Sequence, residues 1–462
     1  MFAWAVDEAE DAGTSVADAV EAHAKPKPSS WASLLRPGGL ASGDSTWSGA
    51  VTSSLNGTSQ HQKYESLVDA LQNLRVKFSS PLVQPRGLVN SGNMCFMNVV
   101  LQALLYCAPF FNMLLDIRQN VAFSFNQPTP LLEALIQFTN EFKQDPTPMA
   151  LLLEEEDTDP FVPENVYEAL RQKNVFQTLR GQQEDAQEFM SYLIDGISQE
   201  MADILQQHQH QHRSSNHQTD NASNVDDESE WQEVGPHNKA SIVRDSSDSF
   251  VATPITRIFG GSIRSTLAVP HSASAASMRG RHSGKARPSS NREPFQWLAL
   301  DISSDSVRSI EQALDEFVAP ETIEGYTNIY GESVNATKQI LLEKVPPVLV
   351  LHLKRFVFCH NEGVQKVHKF IQYPQELQLS PDWLAKSKAS SEHRNARYRL
   401  ESVIYHHGSQ ASGGHYTCDL RRSEKEWLRF DDIDITILDS VDKVLDEKMD
   451  RSAYILFYTI SS

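Results

Sequence analysis

The sequence predicts an α+β fold, with helices first along the chain and an antiparallel sheet late. Apolar residues recur at helical spacing in residues 95–106, 129–142, 163–173 and 182–205. After residue 295 the sequence is dominated by short runs that alternate between apolar and polar residues or are apolar throughout, as in strands. This order predicts a helical lobe and a β lobe with a cleft between them.

The first part of the chain is predicted to be mostly disordered. Residues 1–80 are rich in Ser, Ala, Gly and acids, and they contain few periodic apolar positions. The segment SWASLL, residues 30–35, has apolar residues at i, i+3 and i+4, which suits a short helix that docks into a protein partner; the alternative is a chance apolar cluster. Residues 64–78 have better helical periodicity and are a candidate lead-in helix.

Residues 81–460 are predicted to form one folded domain with two flexible insertions. Residues 206–250 are polar and become acidic toward their end, whereas residues 271–293 are basic. Neither contains enough apolar residues to offset the entropy lost on ordering. The first insertion contains three histidines that can bind a metal, although we favour a solvated Gln/His tract: His208, His210 and His212.

The later elements are predicted from alternation and from turn residues. They are two strands in 253–270, a strand in 295–302, a helix in 309–321 and two strands in 339–358. Four more strands are predicted in VIYHHG, GGHYTCDLRR, WLRFDD and AYILFYTI.

Cys95 is the candidate nucleophile because it stands where a glycine-containing turn runs into an apolar helix. The first turn of a helix has unpaired N–H groups and a partial positive charge, and both favour a thiolate over a thiol. Asn90, five residues earlier, carries an amide that can donate a hydrogen bond to an oxyanion. The alternative is a buried cysteine on a core helix. Cys107 lies deeper in the apolar run, so we predict a packing role for it.

A histidine and two acids near the end of the chain are candidate partners of Cys95. His415 begins an alternating strand, and Asp431 and Asp432 end the next short strand. A cysteine, a distant histidine and an acid in this order are typical of a cysteine hydrolase, in which the histidine takes the thiol proton and the acid orients the imidazole. Adjacent strand residues point to opposite faces, so only one of the two acids is expected to contact His415 directly.

Two further acids, Asp185 and Glu188, stand three residues apart near the start of the helix predicted over 182–205. They share one helix face and are candidates for charge-assisted contacts with a basic ligand. The alternative is an acidic first turn that the helix dipole favours.

These motifs together resemble the ubiquitin-specific-protease family of deubiquitinases. Residues 87–106 look like the Cys box of that family, and GGHYTCDL with WLRFDD looks like its His box. Residues 181–193 are similar to its intermediate motif, and residues 346–356 are similar to its Lys-Arg-Phe strand. The resemblance covers most of residues 81–460. It implies a catalytic domain with a papain-like fold: a helical thumb that carries the cysteine, a β palm that carries the histidine, and extended β fingers.

The resemblance also implies a function, which is thiol-dependent hydrolysis of the bond after the C-terminal glycine of ubiquitin. The implied partners are ubiquitin and ubiquitinated proteins. Cys95 would be the nucleophile, and His415, which follows Gly413 and Gly414, would be the base. Asp431 would be the orienting acid. The two glycines would let the backbone bend so that the substrate can approach.

Further roles follow from the same resemblance. Asn90 would donate to the oxyanion, and Asp432 would assist there or polarise water. Asp185 and Glu188 would hold the arginine-bearing tail of ubiquitin. Two other functions stay open: a catalytically silent ubiquitin-binding scaffold, and a papain-like peptidase that acts on ordinary peptides.

The sequence departs from the family at the structural zinc that many members hold in the fingers. Residues 253–345 contain no cysteine, so the thiolate ligands of such a zinc site are absent. We therefore expect zinc-free fingers stabilised by packing alone, and no cofactor.

Composition limits the partners and the compartment. The net charge of −19 argues against general affinity for nucleic acid or anionic membranes. Four cysteines without a C-x-x-C pair favour a reducing compartment. The start of the sequence lacks the basic and apolar regions of a signal peptide, and no apolar run approaches the ~20 residues needed to span a bilayer. We predict a cytoplasmic monomer, with the nucleus as a second location.

Overall fold

A helical lobe and two β-sheets make up the part of the chain that the computed structural model describes. The described residues are 64–121, 129–152, 159–173, 183–216, 232–233, 242–245, 251–270, 288–328, 331–359, 363–386, 395–410, 413–446 and 451–461. They confirm the α+β class. The SWASLL segment lies outside the described residues.

The described helices are α1 (Leu67–Asn73), α2 (Cys95–Tyr106), α3 (Ala108–Val121), α4 (Pro130–Asn140), α5 (Met149–Leu152), α6 (Glu164–Gln172), α7 (Ala186–Asn216), α8 (Pro254–Phe259), α9 (Ile310–Val318) and α10 (Asp442–Leu445), with a 3-10 helix at Pro381–Trp383. Every side chain of α2 is buried, because α3 and α7 on one side and the palm sheet on the other enclose it. Among the described helices none alone is long and apolar enough to span a membrane, although α2 and the Ala108–Arg118 part of α3 together reach that composition with a 79° bend between them.

Packed structure begins earlier than the boundary at residue 81 that the sequence suggests. Ser66 caps α1 by accepting a hydrogen bond from the backbone N–H of Asp69. Leu67, Ala70 and Leu71 are buried in the same core as α2. The last part of segment 1–80 is therefore a packed lead-in helix, because its apolar stripe has a surface to cover.

The described strands are β1 (Gln232–Glu233), β2 (Ile242–Asp245), β3 (Gly261–Ala268), β4 (Ser289–Phe295), β5 (Leu298–Asp301), β6 (Glu321–Thr327), β7 (Ser333–Lys344), β8 (Val348–Lys354), β9 (Phe356–Cys359), β10 (Gly363–Lys366), β11 (Glu376–Gln378), β12 (Arg397–Gln410), β13 (Gly413–Arg421), β14 (Trp427–Asp431), β15 (Asp434–Leu438) and β16 (Arg451–Ser461). β9 and β10 form a separate hairpin.

The larger sheet is the palm, and it presents β13 and β14 to the helical lobe. Its order is β15-β14-β13-β12-β16-β8-β5, and β11 pairs with β12 outside that path. Its pairings are antiparallel except for the parallel pair of β5 and β8. Long central strands that are buried on both faces make this sheet a rigid platform.

The smaller sheet forms the fingers, in the order β1-β2-β4-β3-β7-β6. The prediction of two strands in residues 253–270 is wrong for the first of them. The segment forms the helix α8 followed by the strand β3. Thr253 and Thr256 make reciprocal capping bonds, and Pro254 occupies the first helical position. These local signals favour a helix start over a strand.

The two segments predicted as flexible insertions also contain regular structure. α7 continues to Asn216, well into segment 206–250, and β1 and β2 lie in the same segment. β4 includes the last residues of segment 271–293 and pairs with β3. Strand pairing across long sequence separation supplies order that the composition of these segments does not reveal.

An ion cluster joins three strands of the fingers. Glu343 on β7 is buried and accepts hydrogen bonds from Arg264 on β3 and from Arg292 on β4, with Arg292 Nη2 3.1 Å from Glu343 Oε1. Burial raises the pKa of Glu343, but the bonds and charges of the two arginines outweigh it and the net pKa is lowered. The expectation of packing alone is therefore wrong, because a shared carboxylate also holds the sheet together.

Replacing Glu343 with Ala is expected to lower the free energy of unfolding by about 3 kcal/mol, because both guanidinium groups lose their common buried carboxylate. Chemical denaturation followed by tryptophan fluorescence measures the change. Glu321→Ala is the matched control, because Glu321 is an exposed acid on the neighbouring strand β6 and its loss should stay within about 0.5 kcal/mol. Equal losses in the two variants would contradict this role of the cluster.

Candidate active site

Cys95 is the first residue of α2 and is 2% exposed. The turn before α2 places Cys95 at this position, and Gly92 and Asn93 in that turn have φ angles of 89° and 63°. The N-cap residue, Met94, makes no side-chain capping bond, so the positive end of α2 is directed at the sulfur and its surroundings. The sulfur is therefore held at a helix N-terminus inside the interface between the helical lobe and the palm.

His415 and Asp431 are brought to Cys95 by two neighbouring strands of the palm. His415 is on β13, and its Nε2 lies 2.5 Å from Oδ1 of Asp431 at the end of β14. A hydrogen bond with Cys95 raises the pKa of His415 to about 9; burial opposes this rise, and the hydrogen bond with Asp431 adds to it. The imidazole is thus held between the thiol and the carboxylate, in the order that proton transfer requires.

Asp432 lies beyond the end of β14 and faces a different set of groups. Its φ angle is +53°, and its carboxylate accepts a hydrogen bond from Asn90 Nδ2 at 2.8 Å and another from Asn98 Nδ2 at 2.9 Å. The side chain of Asn90 also accepts a hydrogen bond from the backbone N–H of Met94. Asp432 Oδ2 stays 4.0 Å from His415 Nε2. Asp431 therefore contacts the imidazole, whereas Asp432 holds the amide that was predicted to serve the oxyanion.

Comparison with known proteins identifies the family of this chain. A family model described as ubiquitin carboxyl-terminal hydrolase matches residues 86–458. This chain belongs to that family. A probable ubiquitin carboxyl-terminal hydrolase 3 of Schizosaccharomyces pombe is 37% identical over 404 residues, which are 82% of this chain and 74% of the relative. Ubiquitin carboxyl-terminal hydrolase 10 of Gallus gallus is 33% identical over 418 residues, which are 85% of this chain and 51% of the relative, so the chain spans about half the length of that relative.

Solved structures support the same fold. The SAGA Ubp8/Sgf11/Sus1/Sgf73 DUB module bound to ubiquitin aldehyde contains a chain that matches with a TM-score of 0.58 and 22% identity, over 83% of this chain and 71% of that one. A second structure of this module, bound to monoubiquitin, matches with a TM-score of 0.56 and 21% identity, over 85% and 72% of the two chains. The predicted fold and family are confirmed.

The glycines before His415 have unequal roles. Gly414 has a φ angle of 149°, and a Cβ there would lie 2.2 Å from the carbonyl oxygen of His407. A Cβ on Gly413 would meet no atom within 4 Å. Close packing of β12 against β13 therefore requires glycine at position 414, and this packing sets where His415 begins its strand.

Burial excludes three competing groups, Cys107, Cys418 and His406. Burial raises the pKa of Cys107 to about 12 and that of Cys418 well above its usual value. Burial, with a smaller effect of Lys366, lowers the pKa of His406 to about 3. His406 lies in β12 opposite Tyr416. These groups stay uncharged at neutral pH and cannot replace the Cys95–His415 pair.

Asp185 and Glu188 differ in their contacts and in their exposure. Asp185 precedes α7 rather than lying in it, and its Oδ1 accepts hydrogen bonds from the backbone N–H groups of Gln187 and Glu188. Its Oδ2 accepts a 2.5 Å hydrogen bond from the hydroxyl of Tyr454 on β16. Glu188 is exposed on the first turn of α7. Asp185 therefore caps the helix and ties it to the palm, which leaves Glu188 better placed to contact a ligand.

Sequence reasoning missed three residues of this site. Gln183 lies just before α7, with its Nε2 3.9 Å from Cys95 Sγ. Asn98 is a buried amide in the apolar helix α2, and a polar residue in such a run is a signal that can be read from sequence. Tyr454 stands in an apolar strand, where nothing marks its hydroxyl as a partner of Asp185.

Replacing Asp431 with Asn is expected to shift the alkaline limit of kcat/KM to lower pH. His415 carries its proton below a pKa of about 9, and loss of the Asp431 charge moves that pKa down toward the ordinary value of about 6.5. The imidazolium, and the ion pair it forms with a thiolate, are then lost at a lower pH. We expect kcat/KM at neutral pH to fall at least about tenfold.

A pH–rate profile measures both effects of the Asp431 change. Asp439→Asn is the control, because Asp439 is an exposed acid just beyond β15 that pairs with Lys443 and not with His415. An alkaline limit that stays unchanged in Asp431→Asn would contradict the assignment of the acid.

Replacing Asp432 is expected to lower kcat with little change in KM, because Asn90 and Asn98 lose their common acceptor. Asp432→Gly tolerates the positive φ angle but removes both hydrogen bonds, so we expect a loss of about 100-fold. Asp432→Asn keeps one acceptor oxygen and should lose less. Steady-state kinetics with a fluorogenic ubiquitin substrate measure the series, and wild-type kcat in both variants would contradict it.

Proposed function

We propose that this chain hydrolyses the isopeptide or peptide bond after the C-terminal glycine of ubiquitin and so removes ubiquitin from conjugated proteins. The observation that carries the proposal is the position of His415 between the Cys95 thiol and the Asp431 carboxylate, at the start of α2, in a member of the ubiquitin carboxyl-terminal hydrolase family.

Before the acylation step, His415 holds the proton that Cys95 has given up, and the Cys95 thiolate then attacks the carbonyl carbon of the terminal glycine. The carbonyl π electrons move to oxygen, and a second N–H of the Asn90 amide stabilises the resulting charge. The other contacts of this amide, with Asp432 and Met94, hold it in position. Collapse of the tetrahedral intermediate breaks the C–N bond, and the His415 imidazolium gives its proton to the departing amine. The product is a thioester between Cys95 and ubiquitin.

In the deacylation step, water attacks the thioester carbonyl while His415 takes one of its protons. The second intermediate breaks the C–S bond, releasing the ubiquitin carboxylate, and the proton returns to the thiolate–imidazole pair. Asp431 keeps the imidazole in the orientation that serves both steps.

A cavity of about 600 Å³ between α7 and the palm suits a basic, extended peptide. Its charged and polar lining includes Asp185, Glu188, Asp195, His352, Lys354 and Tyr454. His352 is neutral near pH 7 because burial lowers its pKa to about 4, so three carboxylates face a single ammonium group in this set. The negative balance supports binding of the arginine-bearing ubiquitin tail, with Glu188 as its contact and Asp185 as the residue that positions the helix.

Partners and location complete the proposal. A related fold was solved bound to ubiquitin aldehyde, which supports ubiquitin as the partner of this chain. The charge of −19 and the low cysteine content support a monomer in the cytoplasm, with the nucleus as a second location, and the SWASLL segment is a candidate handle for another protein. Sedimentation of the full chain and imaging of a tagged chain test these two points.

A ubiquitin with an electrophilic C-terminus is expected to label wild-type protein at one site. Cys95→Ala should abolish labelling and turnover but leave ubiquitin binding within about threefold, because the thiol carries the chemistry while the cleft and fingers carry most of the contact area. Intact-mass spectrometry measures labelling, and calorimetry with ubiquitin measures binding.

Cys107→Ala is the matched control, because Cys107 ends the same helix but is buried and has a raised pKa. Labelling should persist in that variant. Binding of ubiquitin without any labelling of wild type would favour the silent scaffold instead. Cleavage of unrelated short peptides as fast as ubiquitin conjugates would favour a general peptidase.

A further inference from the structure

The end of α7 carries a pair of histidines that the catalytic function does not use. The helix continues to Asn216, which places His208 and His212 one turn apart on the same face. Their Nε2 atoms are 3.0 Å apart, and their ring centroids are 4.3 Å apart. His210 lies between them in sequence but projects from another side of the helix.

The separation of the two nitrogens matches two ligands of one metal ion. Two nitrogens that each lie 2.0–2.1 Å from a metal are about 2.9 Å apart at a 90° angle and about 3.4 Å apart at the tetrahedral angle. The observed 3.0 Å falls within this interval. The same distance also fits an N–H···N hydrogen bond between neutral rings, so the metal must replace the shared proton.

The surroundings of the pair indicate why the helix end would gain from a metal. The sequence from Gln206 to Asn216 contains no apolar residue, and the described side chains from 206 to 212 are exposed or half-buried. The described side chains from 206 to 212 therefore bury little surface, and a bond across one helical turn supplies a stabilising link in addition to that burial.

We propose that His208 and His212 form a solvent-open site for a divalent transition metal. Two imidazoles select Cu²⁺, Ni²⁺ or Zn²⁺ over Mg²⁺ and Ca²⁺, which prefer oxygen ligands. His208 is half-buried and His212 is exposed, so the other coordination positions are open to water. The bound ion ties together the last turns of α7, the helix whose first turn carries Glu188 at the substrate cleft.

The test is titration of the full chain with Cu²⁺ and Ni²⁺ alone, in the Cys95→Ala background so that the active-site thiol does not compete. Calorimetry should give one tight equivalent of metal, and electron paramagnetic resonance of the copper form should show two nitrogen ligands. His208→Ala and His212→Ala should each weaken binding at least about tenfold, because one imidazole loses the advantage of chelation.

His210→Ala is the matched control, since it removes an exposed imidazole from another face of the same helix. It should bind metal as the parent does. Equal weakening in all three variants, or a copper spectrum with fewer than two nitrogen ligands, would overturn the site. Thermal unfolding without metal should be the same for the three variants, which separates loss of a ligand from loss of the fold.

Discussion

The active site depends on one turn, at Asp432, that fastens the palm to the helical lobe. The backbone carbonyl of Asp432 accepts a hydrogen bond from the N–H of Leu88, and its carboxylate accepts bonds from Asn90 and Asn98. Gly87 permits this approach, because a Cβ there would lie 2.7 Å from the backbone of Ile433. The same turn ends β14 directly after Asp431. The distance between the thiol and the imidazole is thus fixed by a junction made of backbone and amide groups.

A buried charge cluster stiffens the strands behind that junction. Asp419 on β13 is fully buried and bonds Arg429 on β14, Arg451 on β16 and the hydroxyl of Tyr405 on β12. Burial raises the pKa of Asp419 to about 6, although Arg429 pulls it down. One carboxylate therefore links four neighbouring strands, including the two that carry His415 and Asp431. A catalytic group on such a platform keeps its orientation without a covalent link.

The sequence predicts most of this fold, because strands and helices with a clear apolar period are decided locally. The palm strands other than β11 and β15, and the helices α2, α4, α6 and α9, are of this kind. The fingers are less predictable: β4 is polar, and it is ordered by pairing with β3 and by the carboxylate of Glu343. The end of α7 was missed for a related reason, since its sequence lacks the apolar stripe on which helix prediction depends.

Residue identity alone could not choose the catalytic histidine, and the structure explains why. His406 and His415 lie on adjacent strands, yet burial among aromatic rings and beside Lys366 lowers the pKa of one to about 3, whereas contact with Cys95 and Asp431 raises the pKa of the other to about 9. Of these two histidines, only His415 holds the additional proton at neutral pH. Which histidine meets which environment depends on the register of β12 and β13 and on the room that Gly414 provides. The base is thus selected by strand register, and its chemistry follows from what that register places beside it.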